Sequence, residues 1–168
     1  MARVRPNLCG MSEHRRKFLV VADQSEECRT ALYFAAKRAQ ATDCGLTLLA
    51  VIEPSNFDHW IGVSETMRRE AEEEATELLD TLAEDAEVVM GERPELILRE
   101  DELRNAMAGL IEDDAKISIL VLGAAEGGEG PGPLVTALAR GRGLTGTRPI
   151  PVTVVPGGLS RDAIDDLT

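Results

Sequence analysis

Three stretches of this chain are apolar without alternation: Phe18 to Ala22, Leu46 to Ile52 with only Thr47 interrupting, and Ile117 to Gly123 with only Ser118 interrupting. A strand with one wet face alternates polar and apolar residues, whereas a continuous apolar run suits a strand covered on both faces. Such strands belong to parallel sheets with crossover helices above and below, so these runs confine the chain to an α/β architecture. The intervening segments supply the helices. Ser25 followed by Glu26 and Glu27 forms an N-cap signature, and Cys28, Ala31, Leu32, Ala35 and Ala39 recur at helical spacing toward Gly45, the expected stop. After a loop from Pro54 to Gly62, Met67, Ala71, Ala75, Leu78, Leu79, Leu82 and Ala86 mark one face of a long helix. Its other face carries Glu70, Glu72, Glu73, Glu74 and Glu77, which reads as a solvated surface.

Gly91 and Pro94 then break the chain before a short strand, Glu95 to Arg99, and a helix with the stripe Leu103, Ala106, Met107, Leu110 and Ile111. The Ile117–Gly123 strand follows, then a glycine-rich loop, a helix from about Pro133 to Arg140, and a last strand, Val152 to Val155. Five strands alternating with four helices predict a single-domain, open, doubly wound parallel sheet with right-handed crossovers and helices on both faces. A ligand crevice is expected at the carboxyl ends of the strands, where the strand order reverses. Asp23 and Gly123 both end strands there. With 168 residues, 43% of them hydrophobic, the chain can bury one ordinary core. Residues 1–16 read as a flexible extension, with Met11 as an alternative start, 17–156 as the α/β domain, and 157–168 as a tail with a short helix capped by Ser160.

The net charge is −12, yet five of the 18 Lys and Arg fall within residues 1–17. The body is therefore strongly acidic, which argues against nucleic acid and against anionic membrane as partners. No apolar run is long enough for a membrane span, and Cys9, Cys28 and Cys44 are odd in number and far apart, so a reducing cytoplasm is expected. Neither a disulfide framework nor a metal cluster is supported, because His14 and His59 are the only histidines and stand apart from each other and from the cysteines.

Gly141-Arg142-Gly143-Leu144-Thr145-Gly146 matches the spacing of a dinucleotide fingerprint but follows a helix and precedes a strand, the reverse of what that turn requires. No Walker-type phosphate loop and no nucleophile elbow is present, and His59 with Trp60 reads as a cover for the sheet end, a partner surface or a lid. More informative is Glu126-Gly127-Gly128-Glu129-Gly130-Pro131-Gly132-Pro133, a glycine-rich turn between a strand and a helix. Backbone N–H groups in such a turn can receive an anion. Its two acids oppose that use, and its prolines remove donors. Asp23, at the end of a buried strand, is suited either to cap the next helix together with Gln24 and Ser25 or to accept a hydrogen bond from a ligand such as an adenine amine.

In order and spacing, Val20-Val21-Ala22-Asp23-Gln24-Ser25-Glu26, Leu49-Ala50-Val51-Ile52-Glu53, Ile119-Leu120-Val121-Leu122-Gly123 and Pro149-Ile150-Pro151-Val152-Thr153-Val154-Val155 resemble the universal stress protein family over about residues 17–156. The resemblance implies strand order 3-2-1-4-5, a role in stress tolerance and signalling without a defined reaction, and a homodimer paired through the last strand, Val152 to Val155. One branch of that family binds ATP through G-x-x-G-x(9)-G-[ST] after the fourth strand. Carried over, Asp23 matches the acid on the adenine side, Val51 the base-contacting position and Gly123 the first glycine. Glu126 replaces the second glycine, and Thr136 stands near the expected hydroxyl with no glycine before it. Gly127 and Gly130, with Gly128 and Gly132, either form a differently shaped cradle or a plain turn. ATP or another adenylate is thus the candidate ligand, with no catalytic residue.

Two rivals of other classes fit the same scaffold. A Mg²⁺-dependent nucleotide-hydrolysing or nucleotide-transferring enzyme would use Asp23 at a metal and Arg140, Arg142 or Arg148 as its positive group. An electron-transfer-flavoprotein-like subunit would hold a nucleotide structurally beside a partner. An exposed apolar last strand also needs covering, by a second copy or by the tail beyond Gly158.

Overall fold

The structure, a computed structural model, describes residues 15–54 and 63–168. The expected extension up to residue 14, and with it His14, and the loop residues His59 and Trp60 lie outside the described residues. Strands β1 (Lys17–Val21), β2 (Gly45–Ile52), β3 (Glu95–Glu100), β4 (Ile117–Ala124) and β5 (Val152–Pro156) alternate with helices α1 (Glu26–Thr42), α2 (Val63–Met90), α3 (Leu103–Asp113) and α4 (Pro133–Ala139), and α5 (Arg161–Leu167) closes the chain. The sheet order is β3-β2-β1-β4-β5, all parallel. The chain thus winds outward from β1 in one direction as far as β3, returns to the centre for β4, and continues the other way to β5.

Both faces of the sheet are covered, as the apolar runs require. On one face Phe18, Val20, Leu46, Leu48 and Val121 pack with Leu32, Ala35 and Ala39 of α1 and Leu79, Leu82 and Ala86 of α2. On the other, Leu19, Leu49, Leu120 and Leu122 pack with Met107, Leu110 and Ile111 of α3 and with Leu144. Leu144 lies inside the Gly141–Gly146 segment and is buried, so that glycine pattern forms an anchored connection between α4 and β5.

Some elements differ from expectation for identifiable reasons. Asp43, not Gly45, ends α1: it takes the left-handed conformation at φ 54°, which Asp tolerates, and closes the helix with its backbone N–H. Gly45 instead opens β2 beside β1, where a Cβ would lie 3.3 Å from Lys17 Cγ. Met67 is exposed, because the buried stripe of α2 begins farther along the helix. β4 carries an extra residue, Ser118, between the partners of Lys17 and Phe18. The tail is a packed element. Ser160 accepts from the Ala163 N–H to cap α5, Ile164 is buried, and Asp165 accepts from Tyr33 Oη of α1 at 2.8 Å and pairs with Lys37 at 3.0 Å. The tail's helix packs on α1, and Val154 of β5 stays exposed.

Candidate functional site

The reversal of strand order lies between β1 and β4, and a cavity of about 240 Å³ opens at their carboxyl ends. Its floor is the last turn of these strands, with Val20, Val21, Ala22 and Asp23 from the β1 side and Val121, Leu122 and Gly123 from β4. Val51 and Glu53 close it along β2, Leu103 at the start of α3, Glu27, Cys28 and Ala31 along α1, and Pro131 to Val135 at the start of α4. Asp23, Val51 and Gly123, predicted as ligand contacts from three separate strand ends, therefore line one space.

The local chemistry of each is defined. Asp23 Oδ1 accepts from the Ser25 N–H at 2.8 Å and from the Ser25 hydroxyl, while Ser25 Oγ accepts from the Cys28 N–H at 3.1 Å. The two side chains form a relay that fixes the first turn of α1, so Asp23 is a structural acceptor as well as a wall of the cavity. Gly123 is required by packing: a Cβ there would overlap the Glu27 carbonyl and come within 3.1 Å of Cys28 N. The β4 backbone and the first turn of α1 are in contact at this point. Cys28 donates from Sγ to the Val21 carbonyl at 3.5 Å and accepts from the Asp23 N–H at 3.4 Å, and burial pushes its thiol up to about 11.

The glycine-rich loop is arranged differently from the expected cradle. Gly127, Gly130 and Gly132 have φ of 131°, 91° and 97°, conformations that glycine alone adopts easily. The Ala125 N–H donates to the Pro131 carbonyl at 3.3 Å and closes the loop on itself. Glu126 turns its carboxylate toward Gly158, away from the cavity wall. Gly130 and Thr136 line a second, more open cleft next door with Glu129, Arg140 and Arg142, which shares Glu27, Gly132 and Pro133 with the first. Gly127 lines neither. The structure thus brings Asp23, Val51 and Gly123 together, sets Gly130 and Thr136 beside them, and leaves Gly127 apart.

Sequence reasoning missed Glu53 and Leu103 as lining residues, whereas Gly132, one of the glycines offered for a cradle, does line the cavity. Glu53 follows β2 directly, and its Oε1 accepts from the Leu103 N–H at 3.3 Å, capping the start of α3. The position one past a buried strand was the available signal. Gly132 stands immediately before α4, nine residues beyond Gly123.

Of the cations proposed for an enzymatic reading, Arg148 is committed elsewhere. It donates to the carbonyls of Ile111, Asp114 and Ile117 at 2.7 to 3.0 Å and so ties the end of α3 to β4. Among the described residues, no group of three or more His, Cys, Asp or Glu is arranged to hold a metal ion.

The sequence profile of the universal stress protein family matches residues 14–135. The chain belongs to the universal stress protein family. No protein of curated function matches the sequence closely. Solved structures of the family share the fold at low identity. The universal stress protein UspA from Lactobacillus plantarum is 15% identical, with a TM-score of 0.67 over 84% of this chain and 98% of its own. A universal stress protein in complex with cAMP is 16% identical, with a TM-score of 0.57 over 86% of this chain and 99% of its own. One from Archaeoglobus fulgidus in complex with dAMP is 16% identical, with a TM-score of 0.59 over 84% of this chain and 98% of its own.

Proposed function

We propose that this universal stress protein acts by binding, not by turnover, as a cytoplasmic stress-response protein holding an adenine-bearing ligand in the cavity at the β1/β4 reversal. The observation that carries this reading is the convergence of Asp23, Val51 and Gly123 on one cavity with apolar walls and acceptor groups. Proteins of the same fold in complex with cAMP and with dAMP support adenine as the shared chemistry. A non-catalytic role is supported by how the polar groups nearby are used: Asp23 holds Ser25, the Cys28 thiol is kept protonated by burial, and Arg148 is tied to three carbonyls. Free Cys28 and Cys44 suit a reducing compartment, and no described helix is long and apolar enough to cross a membrane.

The reading includes a homodimer paired along β5. Among the described residues β5 is the last strand of the sheet and has one unpaired backbone edge, and Val154 on it is 37% exposed.

The test of the ligand is direct. Freshly purified protein is denatured and the released small molecules are separated by chromatography. An adenine compound near one per chain, absent from Val51→Phe protein that melts like the parent, is the expected result. Adenine compounds retained equally by the variant would place them outside the cavity and overturn the reading.

A further inference from the structure

We infer that the cavity prefers an uncharged adenine nucleoside to adenine nucleotides, with affinity falling as phosphates are added. The inference rests on the adenine reading above and names the ligand form that reading leaves open.

Three independent observations carry it. The first is charge. Among the described residues the wall carries three acidic side chains, Asp23, Glu27 and Glu53, and no Lys or Arg lines the space. Like charges repel more strongly in a concave, partly dewatered site than in bulk water, so each added phosphate is penalised. The same carboxylates are hydrogen-bond acceptors, matched to a donor-bearing ligand such as the adenine amine or ribose hydroxyls.

The second is the supply of backbone donors. Pro131 and Pro133 stand on the wall without an N–H, which leaves Gly132, Leu134 and Val135 as the backbone donors at the start of α4. The Ala125 N–H is spent on the Pro131 carbonyl and the Cys28 N–H on Ser25 Oγ. The first turn of α1 also carries Glu26 and Glu27, which oppose the anion affinity of a helix start.

The third is size. At about 240 Å³ the cavity lies just under the range of roughly 300–1,000 Å³ typical for drug-sized ligands, room for a base and sugar, so a polyphosphate would have to extend into the adjoining cleft of about 570 Å³ past Glu27 and Glu129. Arg140 and Arg142 do not reverse this balance, because they line the adjoining cleft together with Glu27 and Glu129, which cancel their charge.

The experiment is titration calorimetry of the full chain with adenosine, AMP and ATP at low and at high ionic strength. Adenosine is expected to bind about tenfold or more tighter than ATP at low salt, with AMP between them. The gap is expected to narrow as salt screens the carboxylates, and to narrow again in Glu27→Gln through tighter ATP binding. That variant should keep the fold, since Gly123 packs against the backbone of Glu27. ATP binding as tightly as adenosine, or tighter, overturns the preference while the adenine reading stands; loss of that binding in Arg140→Ala/Arg142→Ala would trace it to the adjoining cleft. A gap that salt leaves unchanged overturns the electrostatic argument. Failure of all three ligands to bind overturns the adenine reading and this inference with it.

Discussion

At Gly123 a side chain as small as that of alanine would drive its Cβ into the Glu27 carbonyl, with Cys28 N only 3.1 Å away. Backbone cannot yield there without moving the first turn of α1, so Gly123→Ala is expected to cost about 1–3 kcal/mol. Urea denaturation measures it, and an unchanged midpoint would contradict the contact. Loss of ligand in a bulkier Gly123 variant would therefore report on folding before binding. Cys28 yields a second residue-level expectation. Burial raises its thiol to about 11, so at neutral pH almost none is thiolate. Alkylation of native protein followed by mass mapping is expected to spare Cys28 and to label it once the chain is unfolded; equal labelling of Cys28 and the partly exposed Cys44 in the native state would contradict it. At this scale the site was legible where a residue ends a strand, as Asp23 and Gly123 do. It was not legible where lining depends on how a loop closes: Thr136 and Gly130 face the neighbouring cleft and Gly127 neither, because the Ala125–Pro131 bond and Pro133 decide where α4 begins.

Among elements, the amino ends of the strands are tied by one lysine. Lys17 of β1 donates to Glu95 of β3 at 2.6 Å and to Asp114, just before β4, at 2.8 Å, and Thr47 of β2 donates to the same Glu95 oxygen at 3.0 Å. Burial alone would raise the Asp114 carboxyl, but hydrogen bonds from Lys17 and the Lys116 N–H outweigh it and hold the group below its ordinary 3.8. For Lys17, burial works downward and the two carboxylates more than compensate, raising it above 10.5. The signs follow from proton linkage. Stability from Asp114 is fully present above its unfolded value and is lost as pH falls through the lower folded one; that from Lys17 is present below 10.5 and lost as pH rises through its raised folded value. Lys17→Met is expected to cost about 1–3 kcal/mol at neutral pH and to flatten the loss of stability below about pH 4, both read by denaturant titration across pH. A variant with the parental acid slope would contradict the assignment. The strands at the centre of the sheet were the easiest elements to read, since burial on both faces writes an unbroken apolar run. The edge strand β3 mixes Leu96 and Leu98 with Glu95, Arg99 and Glu100 and so carries a weaker pattern. The short helix of the tail and its Ser160 cap were readable but its packing was not, because α5 is only 7 residues long and gains its stability by packing Ile164 and pairing Asp165 against α1, contacts that no local sequence window contains.

For the whole molecule, the two sheet edges are unlike in chemistry. β3 places Glu95, Arg99 and Glu100 along its edge, charges that discourage further strand pairing, whereas β5 presents Val152, Thr153 and Val154. If two copies join there, light scattering is expected to give twice the chain mass of 18.1 kDa, and Val154→Lys is expected to return it to 18.1 kDa. A parent protein that already runs at the single-chain mass would contradict the proposed dimer. The order of the strands followed from the resemblance to the family, since crossover rules narrow the alternatives without choosing one. The charge of the cavity was not, because Asp23, Glu27 and Glu53 become neighbours only when β1, α1 and β2 converge. The proposed function requires that convergence to be a binding site. Its most direct measurement is calorimetric titration of adenosine into the parent protein and into Val51→Phe. Saturable binding at one ligand per chain, abolished in a variant that melts like the parent, is the expected result. Absence of saturable heat in the parent, or equal binding by the variant, would contradict it.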